Sequence, residues 1–137
     1  MEIYKIKSKA FRGTKYHDVY LKAFGLYKQI KASTKRRTYI RSAYFKRDKI
    51  FLAIFWEHLK QKNWKDRTRR LKYFPCAIDL IKNSKLVPVS KEDPNNLGEI
   101  LHRFAGITSG NEVFYVQIRE VKKTDQKFLI SMFPEEK

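Results

Sequence analysis

His102, Arg103, Tyr115, Gln117, Arg119 and Ser131 place, within one stretch of chain, the groups that metal-independent RNA cleavage uses. That reaction activates the ribose 2′-hydroxyl, protonates the departing 5′ oxygen and stabilises a charged pentacovalent phosphorane. A histidine titrates near neutral pH and serves as acid or base. Arg119 or Arg103 would meet the developing phosphoryl charge. Ser131 and Tyr115 would hold the phosphate or the ribose. Each residue also has a plainer role open to it. His102 would be a hydrogen-bonded structural histidine near a strand end, Ser131 an ordinary strand serine, and Tyr115 with Arg119 a solvated strand face.

A second group suits binding rather than bond breaking. Between residues 35 and 49, Tyr39, Tyr44 and Phe45 interleave with Arg36, Arg37, Arg41, Lys46 and Arg47. Aromatic rings stack on bases while cations follow the phosphates. The alternative is a connecting loop whose aromatics close over the core. Arg67, Arg69 and Arg70 extend the basic set within the run from Lys60 to Lys72.

Other chemistries find less. Glu57, Asp66, Asp79 and Glu99 are spread along the chain, unlike the clustered acids of a metal nuclease. His17, His58 and His102 lack metal-ligand spacing, and the single cysteine, Cys76, excludes an internal disulfide and a Cys-rich zinc site. No metal and no cofactor are expected. Cys76 follows Pro75 near a helix start, where a thiolate is favoured; without a placed histidine it reads as a small core residue. Asp79 reads as a helix-surface or ion-pairing carboxylate, and Trp56 and Trp64 as core and helix-junction residues.

These side chains need elements to position them. Residues 2–7 alternate weakly, as a short strand does. Tyr16, Val19, Tyr20, Ala23, Phe24 and Tyr27 share one face at helical spacing over 15–31, with Thr14 as the expected cap. Asp48 is the expected cap of a helix to about Lys62, apolar on every side through IFLAIFW. Asn63 with Asp66 resembles a capping arrangement for a helix to about Phe74, which Pro75 breaks or restarts before a short helix over 76–83. VPVSKEDPNNLG, residues 87–98, reads as a long loop.

Beyond that loop the period becomes two. Residues 100–107, 113–120 and 127–133 read as strands with short connections. Alternation sends Phe114, Val116 and Ile118 to the core and leaves Tyr115, Gln117 and Arg119 outside. Phe128, Ile130 and Met132 form the apolar set of the last strand, opposite Leu129, Ser131 and Phe133. Leu101, Ala105 and Ile107 are the better core set of the first, which turns His102 outward and Arg103 inward; a bulge near Gly106 would reverse one end. The predicted fold is α+β: N-terminal helices packed on one face of a C-terminal antiparallel three- to four-stranded meander, in a single domain over 1–137 with a helical basic part (1–86), a loop (87–98) and the meander (99–134).

Composition narrows the partner. The chain has 137 residues, 42% hydrophobic and 15% aromatic, enough for one core. Its 31 Lys and Arg against 14 Asp and Glu give a net charge of +17. So much like charge costs self-repulsion, and a phosphate backbone is the usual use for it. Nucleic acid, with RNA favoured over DNA, is the expected partner; an acidic inhibitor protein is the second. The longest apolar run, Ile50 to Trp56, is far too short to span a membrane, and MEIYKIKSKA has no apolar leader core, so no membrane partner and a cytoplasmic location are expected.

The strings FWEHLKQKNWKDRTRRLKYFPCAIDLI and LHRFAGIT…FYVQIRE…FLISMFP resemble an uncharacterised bacterial protein family, over roughly residues 39–134. The layout of helices followed by a meander with a polar residue on the last strand is similar to the barnase–EndoU–colicin–RelE group of ribonucleases. That similarity implies a small, toxin-like endoribonuclease with His102 and Arg103 on the first meander strand, Arg119 on the second and Ser131 on the last as its site. The chain departs from the histidine-rich members of that group, with one histidine in its sheet. Three functions are carried forward: a metal-independent endoribonuclease, a non-catalytic nucleic-acid-binding protein, and an accessory protein for an acidic partner.

Overall fold

The computed structural model describes residues 1–136. In chain order the elements are β1 (Ile3–Lys5), α1 (Tyr16–Ala32), β2 (Tyr39–Arg41), β3 (Lys49–Phe51), α2 (Ala53–Leu59), α3 (Trp64–Leu71), α4 (Phe74–Asn83), β4 (Val89–Glu92), β5 (Glu99–Ile107), β6 (Val113–Val121) and β7 (Gln126–Pro134). The strands form one seven-stranded sheet in the order β1-β5-β6-β7-β3-β2, with β4 also paired to β5. β1 and β4 share the outer edge of β5: β1 takes Ala105 to Ile107 in parallel, β4 takes Ile100 to Arg103 antiparallel.

The α+β class stands, and the expected three- to four-stranded antiparallel meander is corrected. β5, β6 and β7 are antiparallel, but they are the centre of a mixed sheet with two parallel pairs, β1 with β5 and β3 with β7. The added strands are short. Three residues show too little alternation to be told from a loop, and their pairing comes from the neighbour, not from their own sequence. β2 lies in the stretch read as irregular, and β4 in the one read as a loop. β3 replaces the start of the helix expected from Asp48. Ile50 and Phe51 pair with Lys127 and Phe128, and the helix begins only after Leu52. A short apolar run with a β-branched and an aromatic residue suits either state, and tertiary pairing decides.

The helices follow their local signals more closely. α1 fills the expected span, but Lys15, without a side-chain cap, precedes it in place of Thr14. Asn63 Oδ1 accepts the Asp66 backbone N–H at 2.9 Å and opens α3. Pro75 sits in the first turn of α4, where its missing N–H costs nothing. α4 buries Phe74, Cys76, Ala77, Ile78, Leu80 and Ile81.

One face of the sheet meets this helical layer. Phe104, Phe114, Val116, Ile118, Leu129 and Met132 join Phe55, Leu71, Phe74 and Leu80 in the core. Phe114 stacks on Tyr73, ring centres 5.7 Å apart. Gly106, the register partner of Phe114, makes room for that ring: a Cβ there would lie 2.5 Å from it. No bulge near Gly106 reverses an end of β5, since β5 and β6 pair without a shift from Glu99 to Ile107. The shift lies between β6 and β7. Gln117 pairs with Ser131 and Ile118 with Leu129, so Ile130 is the extra residue. Leu129 therefore turns into the core and Phe128 to the opposite face, the reverse of the simple alternation.

Candidate nucleic-acid interface

The face away from the helical layer collects cations and rings. Register places Arg103 beside Gln117, Gln117 beside Ser131, Arg119 beside Phe128, Phe128 beside Phe51 and Phe51 beside Tyr39. All point the same way. Arg103 is exposed; Tyr115, Gln117, Arg119 and Phe133 are half-buried. The Arg103 guanidinium stands 5.8 Å from the Tyr115 ring centre and 5.5 Å from that of Phe133. Arg70 arrives from α3, 5.3 Å from Phe133, and donates to Ser131 Oγ at 2.5 Å. Arg37 lies 4.0 Å over Phe51 and 5.6 Å from Phe128. Lys49 and Arg41 flank Tyr39 at 4.7 and 5.5 Å. Cations over ring faces keep their charge in place without a carboxylate.

Five of the residues read as a site thus share one face: Arg103, Arg119 and Ser131 of the catalytic set, with Tyr115 and Gln117 of the binding set. His102 does not join them. Its expected outward direction, and the inward direction of Arg103, are both reversed. His102 pairs with Ile118 and is 7% exposed on the helix-facing side. Its Nδ1 is 2.6 Å from Ser90 Oγ and its Nε2 is 2.8 Å from Glu120 Oε1. Phe45 closes over it edge-on, ring centres 5.0 Å apart. Both ring nitrogens are satisfied by neighbours on β4 and β6, so burial leaves no unpaired polar group. That satisfaction, invisible in one strand's alternation, is why a histidine takes a core-side position here.

The polar corner continues at Lys127, 3% exposed beneath the same Phe45 ring. Its ammonium donates to Asp48 Oδ2 at 2.8 Å and Asp125 Oδ1 at 3.1 Å. Burial opposes its charge, but the two carboxylates outweigh that and hold it above the usual lysine range.

The aromatic–basic segment divides. Tyr44 packs edge-on to Phe104 at 5.6 Å, so it covers the core rather than offering a stacking face. Lys46 and Arg47 are exposed and both have positive φ, 53° and 70°, as does Arg36 at 66°. Hydrogen bonds of Ser42 to Asp48 and Arg47 tie the tight turn that holds them. The Ala43 N–H donates to Ile81 O at 3.0 Å and brings this turn to the end of α4. Arg41, Lys46 and Arg47 there meet Lys82 and Lys85 in a groove that no carboxylate among the described residues lines.

The basic run on α3 scatters. Arg67 donates to the carbonyls of Lys60 and Lys62 at 2.5 and 2.7 Å. Arg69 pairs with Asp66 and Glu136, and only Arg70 turns to the sheet face. Among the described residues, five lysines or arginines engage a carboxylate: Arg69, Arg70, Arg119, Lys122 and Lys127. The positive excess is therefore mostly uncompensated. Arg119 itself is held loosely, its Nε 3.6 Å from Glu99 Oε2, too far for a hydrogen bond.

Phe51, Phe128, Phe133, Lys49, Lys82 and Lys85 belong to this surface and escape sequence reading. Phe133 was visible as the neighbour of Ser131 on an alternating strand. Lys82 and Lys85 are remote in sequence and have no local signal. Cys76 is fully buried, and burial, with Asp79 and Glu112 nearby, pushes its thiol up to about 12, which makes it a core residue. No group of three His, Cys, Asp or Glu among the described residues is placed to hold a metal ion, and no helix is long and apolar enough to cross a membrane. Comparison with family models, curated proteins and solved structures returned no match.

Proposed function

We propose that the protein binds single-stranded nucleic acid, RNA in preference to DNA, across the open face of its sheet. The observation that carries this reading is the alternation of guanidinium groups and rings there: Arg103 with Tyr115 and Phe133, then Arg119, then Phe51 under Arg37, with Phe128 buried beneath. Unstacked bases lie on such rings while the cations neutralise phosphates. A duplex hides its bases and gains little from rings on a sheet. The cationic groove of Arg41, Lys46, Arg47, Lys82 and Lys85 continues the track for the sugar–phosphate chain.

A second reading, cleavage of the bound strand, is favoured by one feature. Arg70 donates to Ser131, and Arg119 on the next strand and Arg103 on the one beyond lie on the same face, a set of cations that would stabilise a phosphorane. It needs a general base that His102, on the other side of the sheet, does not supply to this face.

The test is a parallel titration of labelled single-stranded RNA, single-stranded DNA and duplex DNA, with EDTA present and product length monitored. Binding strongest to single-stranded RNA, with the strand intact, supports the first reading. Shortened RNA supports the second. No affinity for any of the three overturns both.

A further inference from the structure

α1 carries a second apolar stripe besides the one it buries. Val19 and Ala23 face the core. Tyr16, Tyr20, Phe24 and Tyr27 form a half-buried row beside them, three turns or about 16 Å long. Trp56 of α2 closes the row from the other side, its ring centre 6.0 Å from Tyr20, 5.9 Å from Phe24 and 5.2 Å from Tyr27. Between them runs a groove of about 650 Å³. A surface helix ordinarily turns polar residues outward here.

The chemistry of the groove points to one kind of occupant. His17, Lys60 and Arg67 are its basic lining residues, and no carboxylate among the described residues lines it. The Trp56 indole N–H is buried without an acceptor. The rings of Tyr20 and Phe24 are nearly parallel, 8° apart, and those of Phe24 and Tyr27 are 25° apart. Their faces are turned to one another, which withholds them from a base. Ring edges carry the positive end of the aromatic quadrupole and suit aliphatic groups flanked by anions.

We propose that this groove docks an acidic amphipathic helix of a partner protein. Its aliphatic residues, at helical spacing, lie along the row from Tyr16 to Tyr27, and its carboxylates meet Lys60, Arg67 and His17. The site is separate from the sheet face and would leave that face free.

The test uses the Trp64→Phe protein, so that Trp56 is the one tryptophan and is excited selectively at the red edge beyond tyrosine absorption; Trp64 is exposed and its replacement leaves the core intact. The probe is a helical peptide of about 14 residues with leucines at i, i+3, i+4 and i+7 and glutamates elsewhere. A saturable change in Trp56 emission is expected. The His17→Glu/Lys60→Glu variant, altered only at exposed positions, should weaken binding about tenfold, with RNA affinity unchanged within about twofold. Three results overturn the proposal. One is no emission change. Another is equal binding of a peptide with the same composition in shuffled order, which would mean bulk charge alone. The third is RNA that shifts Trp56 emission and loses affinity in the His17→Glu/Lys60→Glu variant, which would give the groove to nucleic acid.

Discussion

His102 and Arg103 are neighbours in sequence and stand on opposite faces of the sheet: the imidazole is clamped between Ser90 and Glu120 on the helix side, and the guanidinium lies over Tyr115 on the open side. The two therefore predict opposite phenotypes. His102→Gln should lower stability by about 1–3 kcal/mol, because Glu120 and the buried ring site lose their fit. RNA affinity should stay within about twofold. Chemical unfolding and a binding titration on the same preparation check both. Loss of binding at unchanged stability would place His102 at the interface.

Lys127 is a buried charge held by two carboxylates that are themselves largely exposed. Lys127→Met, which removes the charge and keeps the volume, is expected to change stability by less than about 1 kcal/mol or to raise it. The raised pKa of Lys127 fixes the alkaline behaviour of the wild type. Its contribution is fully present below the ordinary lysine value of about 10.4 and is lost as pH rises through the higher folded value. Followed by unfolding midpoints from pH 8 to 12, the Lys127 contribution should hold steady up to about pH 10 and fall above it in the wild type, a fall that is shallower in the Met variant.

Asp79 governs the acid side of β1. Its Oδ2 accepts the backbone N–H groups of Lys7 at 3.1 Å and Ser8 at 2.9 Å. Partial burial works against the charge, yet the Ser8 N–H, the Asn83 amide and the Lys7 N–H together hold the carboxyl below the usual aspartate range. A lowered folded pKa contributes stability that is present above the unfolded value, about 3.9, and lost as pH falls through the folded one. Asp79→Ala should cost about 1–3 kcal/mol at pH 7 and remove that part of the acid transition, measurable by urea midpoints from pH 2 to 7.

Lys46 and Arg47 sit consecutively in the left-handed region, where a side chain costs about 1 kcal/mol. Both side chains line the cationic groove, at positions whose backbone suits glycine. Lys46→Gly and Arg47→Gly are each expected to leave stability unchanged or raise it by about 0.5–1 kcal/mol while weakening RNA binding. Thermal unfolding with a binding titration checks the trade. Destabilisation with unchanged affinity would remove the groove from the interface.

What could be read from the chain depended on element length. β6 has nine residues that alternate cleanly from Phe114 to Arg119, and its core set of Phe114, Val116 and Ile118 is found as expected. β5 is as long but carries apolar residues on both sides, Ile100 and Phe104 against Leu101 and Ala105, so its orientation turned on where His102 finds partners. Those partners lie on other strands. β7 breaks its own period at Ile130. β1, β2 and β3 have three residues each and exist as strands because longer neighbours offer an edge. The site followed the same rule. Tyr115, Gln117 and Arg119 were legible from β6, whereas the joining of Arg70 to Ser131, and of Lys82 and Lys85 to Arg47, depends on contacts between distant segments.

The most direct measurement is the affinity of a labelled single-stranded RNA for the wild type and for Arg103→Ala/Tyr115→Ala, across a series of salt concentrations. The wild type should show a log–log slope near −0.7 for each phosphate met, so roughly −3 to −4 for about five contacts. In the double variant the slope should be shallower by about 1 and the affinity about 10- to 100-fold lower, through the lost base stack and phosphate contact. Salt-independent binding, or a double variant that binds as tightly as the wild type, would contradict binding across the sheet face.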